Sequence, residues 1–248
     1  MTFIRTIHMD NKEKARLLLD YLHRITFHHA FWFTEVEHQL GYDKAYSALK
    51  DVYSQSYKVF IDRLARTLGF ELEDGIPLPL LKMDEERLDS LIQSIGANWL
   101  ANDGIWFQTV EFARGMNDAK RCNDSCWSRF SPFEAYSIKN FLKLDEQPGL
   151  DGLAKALNYR LYSVVNRQTI RREKDAVILE MNDCRVQSAR KRKNLDDYPC
   201  KSAGIVEYTR FAETIDKRIK TEIIACPPDD HPEDYFCAWR FVCTGCEE

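Results

Sequence analysis

The first 121 residues contain no cysteine, and all eight lie between Cys122 and Cys246. A secretory leader is also missing: MTFIRTIHMDNKEKARLLLDYL turns charged within ten residues and lacks an apolar core followed by a small-residue cleavage site. No run approaches the ~18 uninterrupted apolar residues that a membrane helix needs. Excess positive charge is absent as well, since the formal net charge is -4. Nucleic-acid-binding domains are usually strongly basic, so nucleic acid is not the expected partner. These absences place the expected compartment in the cytoplasm, where free thiols or metal ligands are favoured over a disulfide framework.

What is present is enough chain, 248 residues at 44% hydrophobic, to bury a sizeable core. The chain is expected to divide into a helical region at 1–147 and an α+β, cysteine-rich module at 148–248. Laid on itself at an offset of 74, it aligns without gaps over residues 31–68 and 105–142. The identical pairs are Trp32/Trp106, Phe33/Phe107, Val36/Val110, Glu37/Glu111, Gly41/Gly115, Ala45/Ala119, Ser54/Ser128 and Leu68/Leu142. Chance would give about two identities in such a window, so a duplicated helix unit is the reading. Each copy reads as a helix ending at a glycine, then a second helix. A linking helix is expected near 83–100. In the second copy Ser131-Pro132-Phe133-Glu134 has the form of a capping box, which predicts that the long helix is split there. Glu35 and His38 form a Glu-x-x-His, but the second copy has Thr109 and Phe112 at those places, so a duplicated di-metal centre lacks half its ligands.

After Pro148-Gly149 the pattern changes. A helix over 153–159 is followed by strand-like segments at 161–166 and 176–181, a helix starting near Cys184, and another at about 204–214. Strands at 219–226 and 235–242 close the chain, joined by Pro227-Pro228-Asp229-Asp230-His231-Pro232. That order is an α+β arrangement with a small, mainly antiparallel sheet and packed helices. It brings four cysteines toward one place. Cys226 ends one strand and Cys237 lies on its hairpin partner. Cys184 follows another strand, and Cys200 precedes a helix, whose N-terminal field lowers a thiol pKa. His231 sits in the loop above them. Such a set suits zinc in tetrahedral geometry, or a reactive thiol, or buried small hydrophobes. Arg185 and Lys201 each follow a candidate cysteine and would hold a carboxylate or phosphate. Cys122 and Cys126 read as packing residues, and Cys243-Thr-Gly-Cys246 is a C-x-x-C near the end of the sequence.

The C-terminal hundred residues resemble a family of bacterial and archaeal cytosolic proteins, the L-2-amino-thiazoline-4-carboxylate hydrolase-like proteins. The likeness rests on the strand ending in Cys184, the cysteine opening a helix at Cys200, and the closing strand from Tyr235 through Cys237 and Trp239 to Phe241. The stretch Glu222 to Cys226, followed by Cys237 to Phe241, is also similar to the end of 4-vinyl reductase-type small-molecule-binding domains. Pro227-Pro228-Asp229 stands where the Gly-Asp of that hairpin is usual. The resemblance implies a small-molecule hydrolase acting on a small anionic heterocycle through a metal-bound water or a thiolate. Cys184, Cys200, Cys226 and Cys237 would be metal ligands, with Cys200 alternatively a nucleophile. His231 would be a general base oriented by Asp229, while Arg185, Lys201 and Trp239 would hold the substrate. The alternative is a non-catalytic, sensor-like protein binding a small molecule or a structural zinc. The helical part would wall the pocket or make a homodimer interface.

Overall fold

The computed structural model describes residues 9–194 and 197–245, and the chain divides into two compact units, one up to Lys82 and one from Met83 on. In the first unit, α1 (Asn11–Leu40) and α2 (Tyr42–Leu68) pack side by side, followed by the short hairpin β1 (Leu72–Glu73) and β2 (Ile76–Pro77) and by α3 (Leu78–Leu81). Asp10 starts α1 with a reciprocal cap: its carboxylate accepts from Glu13 N at 2.8 Å while Glu13 accepts from Asp10 N at 2.9 Å. No residue of α1 is buried, and Leu18, Leu22, Ile25, Phe31 and Trp32 are exposed.

The second unit begins with α4 (Glu85–Arg114) and α5 (Met116–Phe141), then α6 (Gly149–Leu157), a single 3-10 turn at Leu161–Val164, β3 (Arg167–Arg172), β4 (Ala176–Asp183), α7 (Arg185–Arg192), α8 (Lys201–Ile215), β5 (Ile219–Ala225) and β6 (Cys237–Cys243). The four strands run antiparallel in the order β3-β4-β6-β5. The α+β class is therefore as read from the sequence, while the unit boundary falls after Lys82 rather than after residue 147. The reason is packing: α5 lies along α8, so the second helix pair shares its core with the sheet. Leu153, Leu157, Val177, Leu179, Phe211, Ile215, Ile219, Trp239 and Phe241 form that core. The alternation of β5, with Ile219 and Ala225 buried and Lys220, Glu222 and Ile224 exposed, marks a sheet with one face under helices and one in solvent.

Three local expectations are corrected. The linking helix and the second copy's first helix are one 30-residue helix, α4, which has no proline and runs on through Gly96 and Gly104. Helix α5 runs unbroken through Pro132. The residues that resembled a capping box serve tertiary contacts instead: Ser131 Oγ donates to the Glu207 carbonyl at 2.6 Å, and Glu134 pairs with Arg160. The segment expected as a strand at 161–166 holds the 3-10 turn, Leu161–Val164, and the strand starts only at Arg167. Both helix pairs turn on one glycine, Gly41 at φ +87° and Gly115 at φ +93°, a region costly for any residue with a Cβ. Among the described residues no helix is long and apolar enough to cross a membrane.

Candidate functional site

Helix α8 carries Ala203, Gly204, Glu207, Tyr208, Phe211, Ala212 and Ile215 on its buried face, so one carboxylate sits within an otherwise apolar stripe. Glu207 is only 6% exposed. Its nearest charge is Arg160, 2% exposed, whose Nη2 lies 2.6 Å from Glu207 Oε1. The same guanidinium donates from Nε to Glu134 Oε2 at 3.0 Å, and Glu134 Oε1 accepts from Leu161 N at 2.9 Å. The rings of Trp127, Tyr162, Tyr208 and Phe211 surround Arg160, at 4.8–5.9 Å from its central carbon. One cation thus serves two carboxylates. Burial outweighs the half-share of attraction that Glu207 receives, and its pKa is pushed up to about 7.

Glu207 and Tyr208 face a cavity of about 430 Å³ enclosed by α4, α7, α8 and the sheet. All four cysteines singled out above line it: Cys184 before α7, Cys200 before α8, Cys226 after β5, and Cys237 opening β6. The register pairs Ala225 with Ala238, which sets Cys226 beside Cys237, and the neighbouring Cys237 sulfur raises the Cys226 thiol pKa. Gln187, wholly buried, ties Cys200 in place: its Nε2 donates to Cys200 Sγ at 3.2 Å and to the Tyr198 carbonyl at 2.9 Å, and its Oε1 accepts from Tyr198 N at 2.8 Å. Burial raises the Cys184 pKa to about 11 even though backbone N–H groups of α7 point at its sulfur. It pushes Cys200 well up too, while the neighbouring Cys237 comes first in raising Cys226. The helix N-termini therefore do not produce the thiolate expected at Cys200, because desolvation is the larger effect. Among the described residues no three His, Cys, Asp or Glu side chains are gathered closely enough to hold a metal ion.

Trp239 and Arg185 line this cavity as expected, but His231, Asp229 and Lys201 do not. Lys201 Nζ donates to Asp229 at 2.6 Å, so Asp229 neutralises a lysine instead of orienting His231. The His231 ring packs by Phe236, with Nδ1 at 2.8 Å from the Pro232 carbonyl. The positive wall comes from α7: Arg185, Arg190, Arg192 and Lys193 all face the cavity. Arg185, Arg192 and Lys193 form no ion pair among the described residues. A second cavity of about 340 Å³ lies between α4 and α5 and shares Asp103, Phe107, Asn123 and Trp127 with the first. Cys122 and Cys126 line it and are exposed, so they are not the core packing residues expected. Cys243 is disulfide-bonded, and Cys246 lies outside the described residues.

A family model described as a family of unknown function, DUF6125, matches residues 81–243, more than half of the chain. The chain belongs to DUF6125. The DUF6125 match begins two residues before Met83 and ends at the last residue of β6, so it spans the unit that holds the cavity, its four cysteines and Glu207. Neither the curated proteins nor the solved structures hold a match.

Glu207 and Asp103 were missed in the sequence, though each left a mark there. Glu207 sits three residues after Gly204 and four before Phe211, and Asp103 lies between Trp99 and Phe107 at steps of four. A lone acid within an apolar helical stripe is a signal in its own right.

Proposed function

We propose that the DUF6125 unit binds a small organic anion in the cavity walled by α4, α7, α8 and the sheet. The observation that carries this reading is charge without a partner: Arg185, Arg192 and Lys193 line an aromatic-walled cavity and have no ion pair among the described residues. The volume of about 430 Å³ fits a small molecule. The test is titration calorimetry of the full chain with aromatic carboxylates, beside an Arg185→Ala/Arg192→Ala double variant. Micromolar to millimolar binding that weakens at least about tenfold in the variant supports the reading; no binding by any carboxylate, or equal binding by the variant, refutes it.

Hydrolytic turnover is the second reading, favoured by Glu207, whose pKa of about 7 suits a general base. Glu207 would take a proton from water as its oxygen attacks a C=N or C=O carbon of the bound anion, then return the proton to the departing group. In this reading the carboxylate replaces His231, and the thiols of Cys184 and Cys200, raised in pKa by burial, supply hydrogen bonds. Glu207→Gln is then expected to keep binding and lose turnover. Cys184, Cys200, Cys226 and Cys237 are also the donor set that zinc would take if the thiols closed on it; elemental analysis of protein purified under reducing conditions, beside Cys237→Ser, checks that arrangement.

A further inference from the structure

The cavity is lined by charges of both signs. Its cations, Arg185, Arg190, Arg192 and Lys193, all come from α7 and the residue after it. Its acids come from other helices: Asp103 on α4 and Glu207 on α8. Glu207 shares Arg160 with Glu134, but Asp103 shares nothing. Among the described residues its carboxylate accepts no hydrogen bond and forms no ion pair. Burial alone accounts for its raised pKa. A second group waits on the cavity wall: Trp239 is 1% exposed, and its Nε1 donor has no hydrogen-bond partner among the described residues.

A buried indole N–H without a partner costs free energy that a bound molecule can recover, and the half-buried Asp103 carboxylate, without an ion pair among the described residues, can take a ligand cation. None of the cavity's cations pairs with Asp103 among the described residues; Arg190 instead meets Glu111 of the same helix at 3.8 Å. What relieves Asp103 is a cation brought by the ligand. Phe107, Trp127, Tyr162 and Tyr208 also line the cavity, where aromatic rings suit a flat or apolar body and an ammonium.

We propose that the ligand is a zwitterion of amino-acid type, its ammonium received by Asp103 and its carboxylate by Arg185 and Arg192, with an aromatic or apolar body between them. This rests on the anion-binding reading and adds to it the cationic pole, which that reading does not require.

The experiment is calorimetry on the full chain with two matched series: phenylalanine, 3-phenylpropionate and phenethylamine, and tryptophan, indole-3-propionate and tryptamine. The expected result is that each amino acid binds at least about tenfold more tightly than its carboxylate-only and amine-only counterparts, the size expected of one charge-assisted, desolvated hydrogen bond. Asp103→Asn is expected to bring the amino acids down to the affinity of the carboxylate-only probes and to leave those probes unchanged. Arg185→Ala/Arg192→Ala is expected to weaken amino acids and carboxylates together. Equal affinity of amino acid and carboxylate in both series, or an unchanged ratio in Asp103→Asn, overturns the zwitterion while leaving the anion reading intact. Failure of every carboxylate-bearing probe overturns both.

Discussion

Glu207→Gln should change how stability depends on pH, and the direction follows from burial. In the unfolded chain this carboxyl titrates near its ordinary 4.5, and in the folded protein it is pushed up to about 7. Between those values the folded state holds more protons than the unfolded state, so stability falls as pH rises through this window. Each unit of pKa difference is worth about 1.4 kcal/mol, which makes the loss on the order of 3 kcal/mol between pH 4.5 and pH 7. Solvent screening takes little from this figure because Glu207 is nearly fully buried. The glutamine cannot ionise, and Arg160 keeps its bond to Glu134. The assay is urea unfolding of both proteins from pH 4 to pH 8, with the difference in unfolding free energy plotted against pH. The variant should gain on the parent by about 3 kcal/mol from pH 4.5 to pH 8. A difference that stays flat across that range would refute the claim that burial outweighs the shared arginine.

Asp216 has the opposite linkage, since Arg218 and the Gly149 and Arg218 backbone N–H groups hold its pKa down to about 2. Its stabilisation is fully present above pH 3.8 and disappears as pH falls toward 2, so Asp216→Asn should cost about 2 kcal/mol at neutral pH and flatten the acid limb of the same urea series. Gly204→Ala should cost about 1–3 kcal/mol and move Trp239 fluorescence, because a new Cβ would meet Trp239 Cζ2 at 2.5 Å and Cη2 at 2.9 Å. Alkylation of Cys184 by iodoacetamide, followed by peptide mass spectrometry, should keep accelerating up to about pH 11 instead of levelling near 9. If the exposed apolar side chains of α1 meet a second copy of the chain, light scattering should return twice the 29.1 kDa chain mass, and Leu22→Glu/Ile25→Glu should halve it.

Sequence periodicity determined the α+β class, the antiparallel hairpin of β5 and β6, the glycine turns at Gly41 and Gly115, and the convergence of Cys184, Cys200, Cys226 and Cys237. These are local or near-local properties: a period of two or 3.6, a residue that tolerates positive φ, and a strand register that sets side chains opposite each other. Tertiary structure alone decided what those groups do. Burial holds the Cys184 and Cys200 thiols above their ordinary pKa, and no spacing along the chain reports that desolvation. Pro132 stays inside α5 because contacts with α8 override a local stop signal. Asp229 turned from His231 to Lys201, two residues brought together only when the β5–β6 connection meets the start of α8. Glu207 acquired its raised pKa from burial, which Arg160 does not offset because it is divided between two acids 73 residues apart in sequence, Glu134 and Glu207. Charge balance inside a cavity is a sum over all its walls, and folding is what assembles the walls.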